Sequence, residues 1–320
     1  MAATLRMSAR HWVGVALAAL GAGRLALAAP ASAVADVGLD QSITAVSATQ
    51  IASFTPYSFY ASAGYCDASV TKTWTCGANC QANPGFKVVA AGGNGFDVQF
   101  WFVGYDPALD TVIVSHQGTD PGEMCVQLHL PLITDADFFL ASLDATLFPG
   151  ISSSIEVHSG FAESHADTAT SVLQAVQQTM NTHGTNSVVT TGHSLGAAIA
   201  LLDAVYLHMH LPASARISFV GYGLPRVGNQ AFANFVDALA PAVSVTHINN
   251  REDIVPILPG RFLGFAHTSG ELHIQDSGGW VACPGQDNES DECIVGDVPN
   301  IFEGDEGDHD GPYNGVTMGC

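Results

Sequence analysis

Positive charge is scarce in this chain. Lysine and arginine together number 9 among 320 residues, against 30 aspartates and glutamates, and the formal net charge is −21. So acidic a chain is repelled by phosphate backbones and anionic headgroups, which argues against nucleic acid or an anionic membrane as a partner. It says nothing against neutral esters or fats. Beyond the N-terminal segment there is no apolar run of membrane-spanning length. Internal repeats and linker-like low-complexity stretches are missing too, so repeat architectures find no support. No His or Cys pair has the spacing of a zinc finger, and no metal site is expected. What is present is 47% hydrophobic residues, ample for the core of one large domain.

The N-terminal segment stands apart. Arg6 and Arg10 precede an apolar run from Trp12 to Gly23, and small residues follow, including Ala31-Ser32-Ala33. This is the layout of a secretory signal, and the run is short for a bilayer span. Residues 1–33 are therefore read as a signal peptide cleaved between Ala28 and Ala35, leaving 34–320 as a single domain. In a secreted chain the cysteines read as disulfides. Cys76 and Cys80 are close enough for a local loop. Cys283 and Cys293 can close another, around "PGQDNESDE". Cys66 and Cys320 would then tie the ends of the domain together, with Cys125 left over. Asn288-Glu289-Ser290 is a glycosylation sequon in a polar loop.

Hydrophobic periodicity orders the rest. Residues 47–65 read as helix broken near Pro56, and 96–119 as two strands around an Asp-Pro turn. Residues 120–157, with Pro121, Pro131 and Pro149, are less regular. "HADTATSVLQAVQQTMNTHG" (165–184) has helical spacing and a glycine stop. "SVVTTG" reads as a buried strand and "LGAAIALLDAVYLHMH" as a helix. "RISFVGYG", "NQAFANFVDALA" and "VSVTHIN" continue as strand, helix and strand. The alternation from Arg216 onward predicts a mostly parallel sheet.

Between "SVVTTG" and its helix lies "GHSLG". Gly-x-Ser-x-Gly alone is a weak signal; between a strand and a helix it predicts a nucleophile elbow. Gly192 and Gly196 give room for the sharp turn, and the helix N-terminus aims its dipole at Ser194. A serine hydroxyl needs a histidine to take its proton and a carboxylate to steady that histidine. Asp253 follows the "VSVTHIN" strand, with Glu252 as its neighbouring rival. Three histidines come later. His267 and His273 lie in "FAHTSGELHI", where strand spacing suggests sheet-facing roles. His309 lies in "EGDEGDHDGPYNG", a loop rich in turn residues, and is preferred as the base. Oxyanion donors are expected from the N–H of Leu195 and from Thr119 in "VIVSHQGTDPG".

Together these residues resemble the fungal class 3 lipases, the family of filamentous-fungal triacylglycerol lipases and related feruloyl esterases. The matching pieces are "HQGTD", "VHSGF" (157–161), "VVTTGHSLGAAIA", "GYGLPRVGN" (221–229), "NNREDIVPILP", "SGELHI" (269–274) and "DHDGPYNG" with a closing cysteine. The resemblance runs from about residue 50 to 320. It implies a single-domain α/β-hydrolase fold, a mostly parallel mixed sheet flanked by helices. It implies Ser194 as nucleophile, Asp253 as acid, His309 as base, and Thr119 and Leu195 as oxyanion hole. It also implies the pairs Cys66–Cys320, Cys76–Cys80 and Cys283–Cys293. The implied activity is that of a secreted triacylglycerol lipase acting at an oil–water interface, with no metal, organic cofactor or obligate protein partner. A lid is implied at 120–132, where Met124, Val126, Leu128, Leu130 and Leu132 make an apolar pattern suited to acyl chains. A feruloyl or other carboxylesterase is the nearest alternative; a non-catalytic lipid-binding relative is a remoter one.

Overall fold

Strands form where β-branched and aromatic residues cluster between turn residues. The computed structural model describes residues 42–119 and 139–320. The signal read over 1–33, and the candidate lid at 120–132 with its Cys125, lie outside the described residues. In chain order the strands are β1 (Thr44–Ala45), β2 (Lys87–Gly92), β3 (Trp101–Asp106), β4 (Thr111–His116), β5 (Leu140–Ser142), β6 (Glu156–His158), β7 (Ser187–His193), β8 (Arg216–Tyr222), β9 (Gly228–Asn229), β10 (Val243–Asn250), β11 (Phe265–Ala266), β12 (Glu271–Ile274) and β13 (Trp280–Cys283). The main sheet has the order β1-β13-β12-β10-β8-β7-β4-β3-β2. Its middle strands, β12, β10, β8, β7 and β4, run parallel. Both edges are antiparallel: β1 and β13 on one side, β3 and β2 on the other. The sheet is thus mixed and mostly parallel, as the alternation predicts.

The helices are α1 (Ala48–Ser53), α2 (Thr55–Ala63), α3 (Ala68–Lys72), α4 (Ala78–Ala82), α5 (Ser159–Ala166), α6 (Ala169–His183), α7 (Leu195–His210), α8 (Gln230–Ala238) and α9 (Ile294–Asp297). Proline explains one boundary. The 47–65 helix breaks at Phe54, and Pro56 sits in the first turn of α2, where its missing N–H costs nothing. α6 buries Val172, Ala175, Val176, Thr179 and Met180, a stripe at three- and four-residue spacing. α7 differs, because every residue from Gly196 to Leu207 is buried. A helix that is largely apolar all round belongs inside, and its alanines let it lie close to the strands.

Strand alternation divides the core into two layers. Val112, Val114, Val188 and Ile217 face α6 and α7. Ile113, Val189, Val220, Tyr222 and Ile248 face the other way, with Tyr60 and Ala61 of α2. Three disulfides close the frame: Cys66–Cys320, Cys76–Cys80 and Cys283–Cys293. The first spans 254 residues and fastens the segment after α2 to the chain terminus.

The structure adds elements that periodicity did not disclose. β2 extends the early hairpin by one antiparallel strand. A second sheet, β11-β9-β6-β5, consists of strands two or three residues long. Such strands are too short to carry a periodic signal. No helix among the described residues is long and apolar enough to cross a membrane.

Candidate active site

Ser194 stands between β7 and α7 with φ 58° and ψ −130°. A non-glycine residue at positive φ costs on the order of 1–3 kcal/mol and persists only where its surroundings enforce it. The enforcement is visible on both sides. A Cβ at Gly192 would lie 2.4 Å from the backbone carbon of Gly196, and one at Gly196 would lie 2.3 Å from the His116 carbonyl oxygen. Strand, helix and the end of β4 therefore touch through backbone alone, and the serine is left at the apex. The first bonds of α7 run from the Ala197 and Ala198 N–H groups to the Ser194 carbonyl. The N–H groups of Leu195 and Gly196 precede that ladder, at the positive end of the helix dipole.

Asp253 lies three residues beyond β10 and is fully buried. Its Oδ1 accepts from the Val255 N–H at 2.9 Å. Its Oδ2 faces Nδ1 of His309 at 2.8 Å. His309 is fully buried as well, and its Nε2 has no hydrogen-bond partner among the described residues. Two more bonds stitch the Asp253 and His309 loops together. The Asp305 N–H donates to the Glu252 carbonyl at 2.7 Å, and the Asn250 side chain donates to the Asp308 carbonyl at 2.9 Å. Glu252, the rival acid, meets this loop through its backbone.

The other two histidines lie elsewhere. His267 stacks on His247 with ring centroids 5.0 Å apart and bonds the Pro256 carbonyl through Nε2 at 2.7 Å. Burial, then the neighbouring His247 and Arg226, push its pKa down to about 3. His273 sits between Asp297 at 3.3 Å and Glu271 at 3.7 Å. Burial pulls its pKa down, yet the two carboxylates carry it above the ordinary value.

Thr119 follows β4 by three residues. Its loop is pressed on the elbow: a Cβ at Gly118 would sit 2.6 Å from the His193 carbonyl oxygen. Behind that loop lies a feature the sequence reading missed. Asp203, the one acidic residue in the apolar α7, is fully buried between His116 and His165. Its Oδ2 lies 2.6 Å from His116 Nε2, and its Oδ1 3.1 Å from His165 Nε2. Burial would raise the carboxyl, but the two histidines hold its pKa down at about 2. A lone carboxylate in "LGAAIALLDAVYLHMH" was the available signal.

The chain after Asp253 turns through 255–257 and 261–263, and residues 295–301 face it on the way to His309. Between them is a cavity of about 930 Å³ walled by Ile257, Leu258, Phe262, Leu263, Val298 and Ile301. Arg226 braces the first wall, donating to the Ile257 carbonyl and, at 3.0 Å, to that of Pro259. An Arg261–Glu289 ion pair at 2.6 Å stands at the rim. Asn288 is half-buried in the Cys283–Cys293 loop, its amide donating to the Pro284 carbonyl at 2.9 Å. Glu271 lies near Cys283 and Cys293, but those sulfurs are bonded to each other and offer no thiolate to a metal.

Comparison with known proteins follows the same lines. The model of the class 3 lipase family matches residues 113–263. The chain is 32% identical over 155 residues to the secreted mono- and diacylglycerol lipase LIP2 of Malassezia restricta, covering 48% of this chain and 49% of that one, so it spans about half of that relative. It is 31% identical over 267 residues to the secreted mono- and diacylglycerol lipase 3 of Gibberella zeae, covering 79% of each. Among solved structures, lipase II from Rhizopus niveus superposes with a TM-score of 0.71 at 26% identity, over 87% of this chain and 98% of that one. The Rhizomucor miehei lipase in its propeptide complex gives a TM-score of 0.72 at 26% identity, over 87% and 84%.

Proposed function

The chain belongs to the class 3 lipase family and has the α/β-hydrolase fold, and from that premise we propose that it is a secreted carboxylic ester hydrolase acting on acylglycerols. The observation that carries the reading is the state of His309. One ring nitrogen is bonded to a buried carboxylate, and the other is buried without a partner, in a loop tied to the serine elbow. An imidazole so held is prepared to take a proton.

In the reaction, Ser194 Oγ attacks the ester carbonyl and passes its proton to His309 Nε2. Asp253 keeps the Nδ1 proton in place and stabilises the imidazolium. The Leu195 and Thr119 N–H groups receive the negative charge on the carbonyl oxygen. His309 then protonates the departing alcohol, leaving an acyl-serine. Water, deprotonated by the same histidine, attacks that ester, and His309 returns the proton to Ser194 Oγ as the fatty acid departs.

The apolar cavity supports acyl chains as the substrate. Its walls are continuous in sequence with the acid on one side and the base on the other. The relatives named mono- and diacylglycerol lipases are 31–32% identical, against 26% for a structural neighbour described as a triacylglycerol lipase, so partial acylglycerols are proposed first and triacylglycerols second. Secretion is supported by the 1–33 signal layout and by the names of those relatives. Asn288 is proposed as a glycan acceptor, since a glycosylated amide keeps one N–H for the Pro284 carbonyl. Residues 120–132 are proposed as the lid. The test is a panel of mono-, di- and trioleoylglycerol with methyl ferulate. The reading expects hydrolysis of the acylglycerols; ferulate turnover without acylglycerol turnover would overturn it.

A further inference from the structure

His193, the residue before the serine, is 1% exposed and has a partner on each ring nitrogen. Its Nε2 lies 2.8 Å from the main-chain oxygen of His309, and its Nδ1 lies 2.6 Å from the Tyr65 hydroxyl. The same His309 oxygen accepts from the Tyr313 hydroxyl at 3.1 Å. The His193 and His309 rings are 4.3 Å apart, inclined by 38°.

Acceptor chemistry fixes the proton positions. A carbonyl only accepts, so the His193 proton is on Nε2. In the neutral ring Nδ1 is then a bare lone pair, and the Tyr65 hydroxyl donates to it. Burial and the nearby His309 hold the His193 pKa well below the ordinary value, which keeps the ring neutral. The His309 carbonyl thus selects the tautomer, and the Tyr65 hydroxyl satisfies the lone pair that remains.

We propose that His193 is a positioning residue for the catalytic base: its Nε2–H, with the Tyr313 hydroxyl, holds the His309 carbonyl, and the Tyr65 hydroxyl anchors the other side of the ring at Nδ1. This rests on the reading of His309 as the base. Asp253 orients the His309 ring but belongs to another loop. His193 is covalently joined to Ser194, so its bond refers the base directly to the nucleophile. The distance from Nε2 to Oγ is thereby set by two adjacent residues of one elbow. Displacing reacting groups by about an ångström costs on the order of 100-fold in rate.

Two replacements separate donor from bulk. His193→Asn keeps an acceptor where Nδ1 was but withdraws the donor from His309. His193→Gln returns an N–H donor near the position of Nε2. Each is measured on a soluble ester, with kcat expressed per active site titrated by an alkylphosphonate. The proposal expects His193→Asn to lower kcat roughly 10- to 100-fold with KM within about twofold. Phosphonylation of Ser194 slows by the same factor, and His193→Gln recovers most of the loss. Tyr65→Phe, which leaves Nδ1 without its donor and the ring less firmly held, gives a smaller loss in kcat of the same kind.

A purely structural role predicts fewer titratable sites with kcat per site unchanged, and that result overturns the proposal. Equal losses in the Asn and Gln variants overturn it too. Should His193→Asn fail to fold, Tyr65→Phe and Tyr313→Phe decide by the same criterion. Wild-type protein that neither hydrolyses esters nor takes up phosphonate would instead defeat the underlying reading of the site.

Discussion

Asp253 Oδ2 and His309 Nδ1 lie 2.8 Å apart across 56 residues of sequence, and neither side chain is exposed. A carboxylate there accepts the Nδ1 proton and leaves Nε2 with a free lone pair. An amide can present its N–H instead and favour the wrong tautomer. Asp253→Asn should lower kcat on the order of 10³- to 10⁴-fold while leaving the circular dichroism spectrum unchanged. Activity within tenfold of wild type would remove Asp253 from the mechanism.

The elbow leaves no room at Gly196. A Cβ there would be 2.3 Å from the His116 oxygen and 2.7 Å from the Gln117 carbonyl carbon, both backbone atoms. Gly196→Ala should cost about 1–3 kcal/mol and displace the loop that carries Thr119. Thermal unfolding should fall by several degrees and kcat should fall with it. A variant of wild-type stability and rate would show that the loop moves freely away.

Asp203 binds the β4 end to α7 and to α5 from one buried position. Removing its charge leaves His116 and His165 without their shared partner, a change that costs about 3–5 kcal/mol for a buried pair. Asp203→Asn should lower the unfolding midpoint by roughly 5–15 °C. A drop of under two degrees would mean that water replaces the carboxylate at little cost.

Acid should destabilise the fold before it protonates the carboxylates. His267 is held near pKa 3, and His193 and His247 are held below the ordinary value, chiefly by burial. The unfolded chain takes up these protons near pH 6.5, where the folded protein does not. Their contribution is therefore complete above pH 6.5 and is lost as pH falls toward 3. His273, with a raised pKa, opposes this with the reverse sign. The unfolding midpoint should fall between pH 7 and 4, and His267→Gln should flatten the slope. An unchanged slope would place the acid sensitivity elsewhere.

The long β-branched runs and the largely apolar α7 were legible because burial on both faces leaves a nearly continuous signal. The hairpin around Asp106-Pro107 was legible from its turn chemistry, since Asp106 Oδ1 caps the Ala108 and Leu109 N–H groups. The two-residue strands β9 and β11 were not, because their pairing is decided by distant segments. At the site, chain order and the family resemblance picked out Ser194, Asp253 and His309, and the fold brings Asp253 and His309 together. The roles of His193 and Asp203 were hidden for one reason. Their partners, His309 and His116, lie 116 and 87 residues away, and a single sequence carries no trace of such pairings.

The central claim is that Ser194 is the nucleophile of an acylglycerol hydrolase. The direct measurement is incubation with an alkylphosphonate ester, followed by intact mass, peptide mapping and diacylglycerol hydrolysis, on wild type and Ser194→Ala. The account predicts one adduct per chain, on the Ser194 peptide, with hydrolysis lost in proportion to labelling. It predicts neither adduct nor hydrolysis in Ser194→Ala. An adduct at another residue, or diacylglycerol hydrolysis that survives Ser194→Ala, would contradict it.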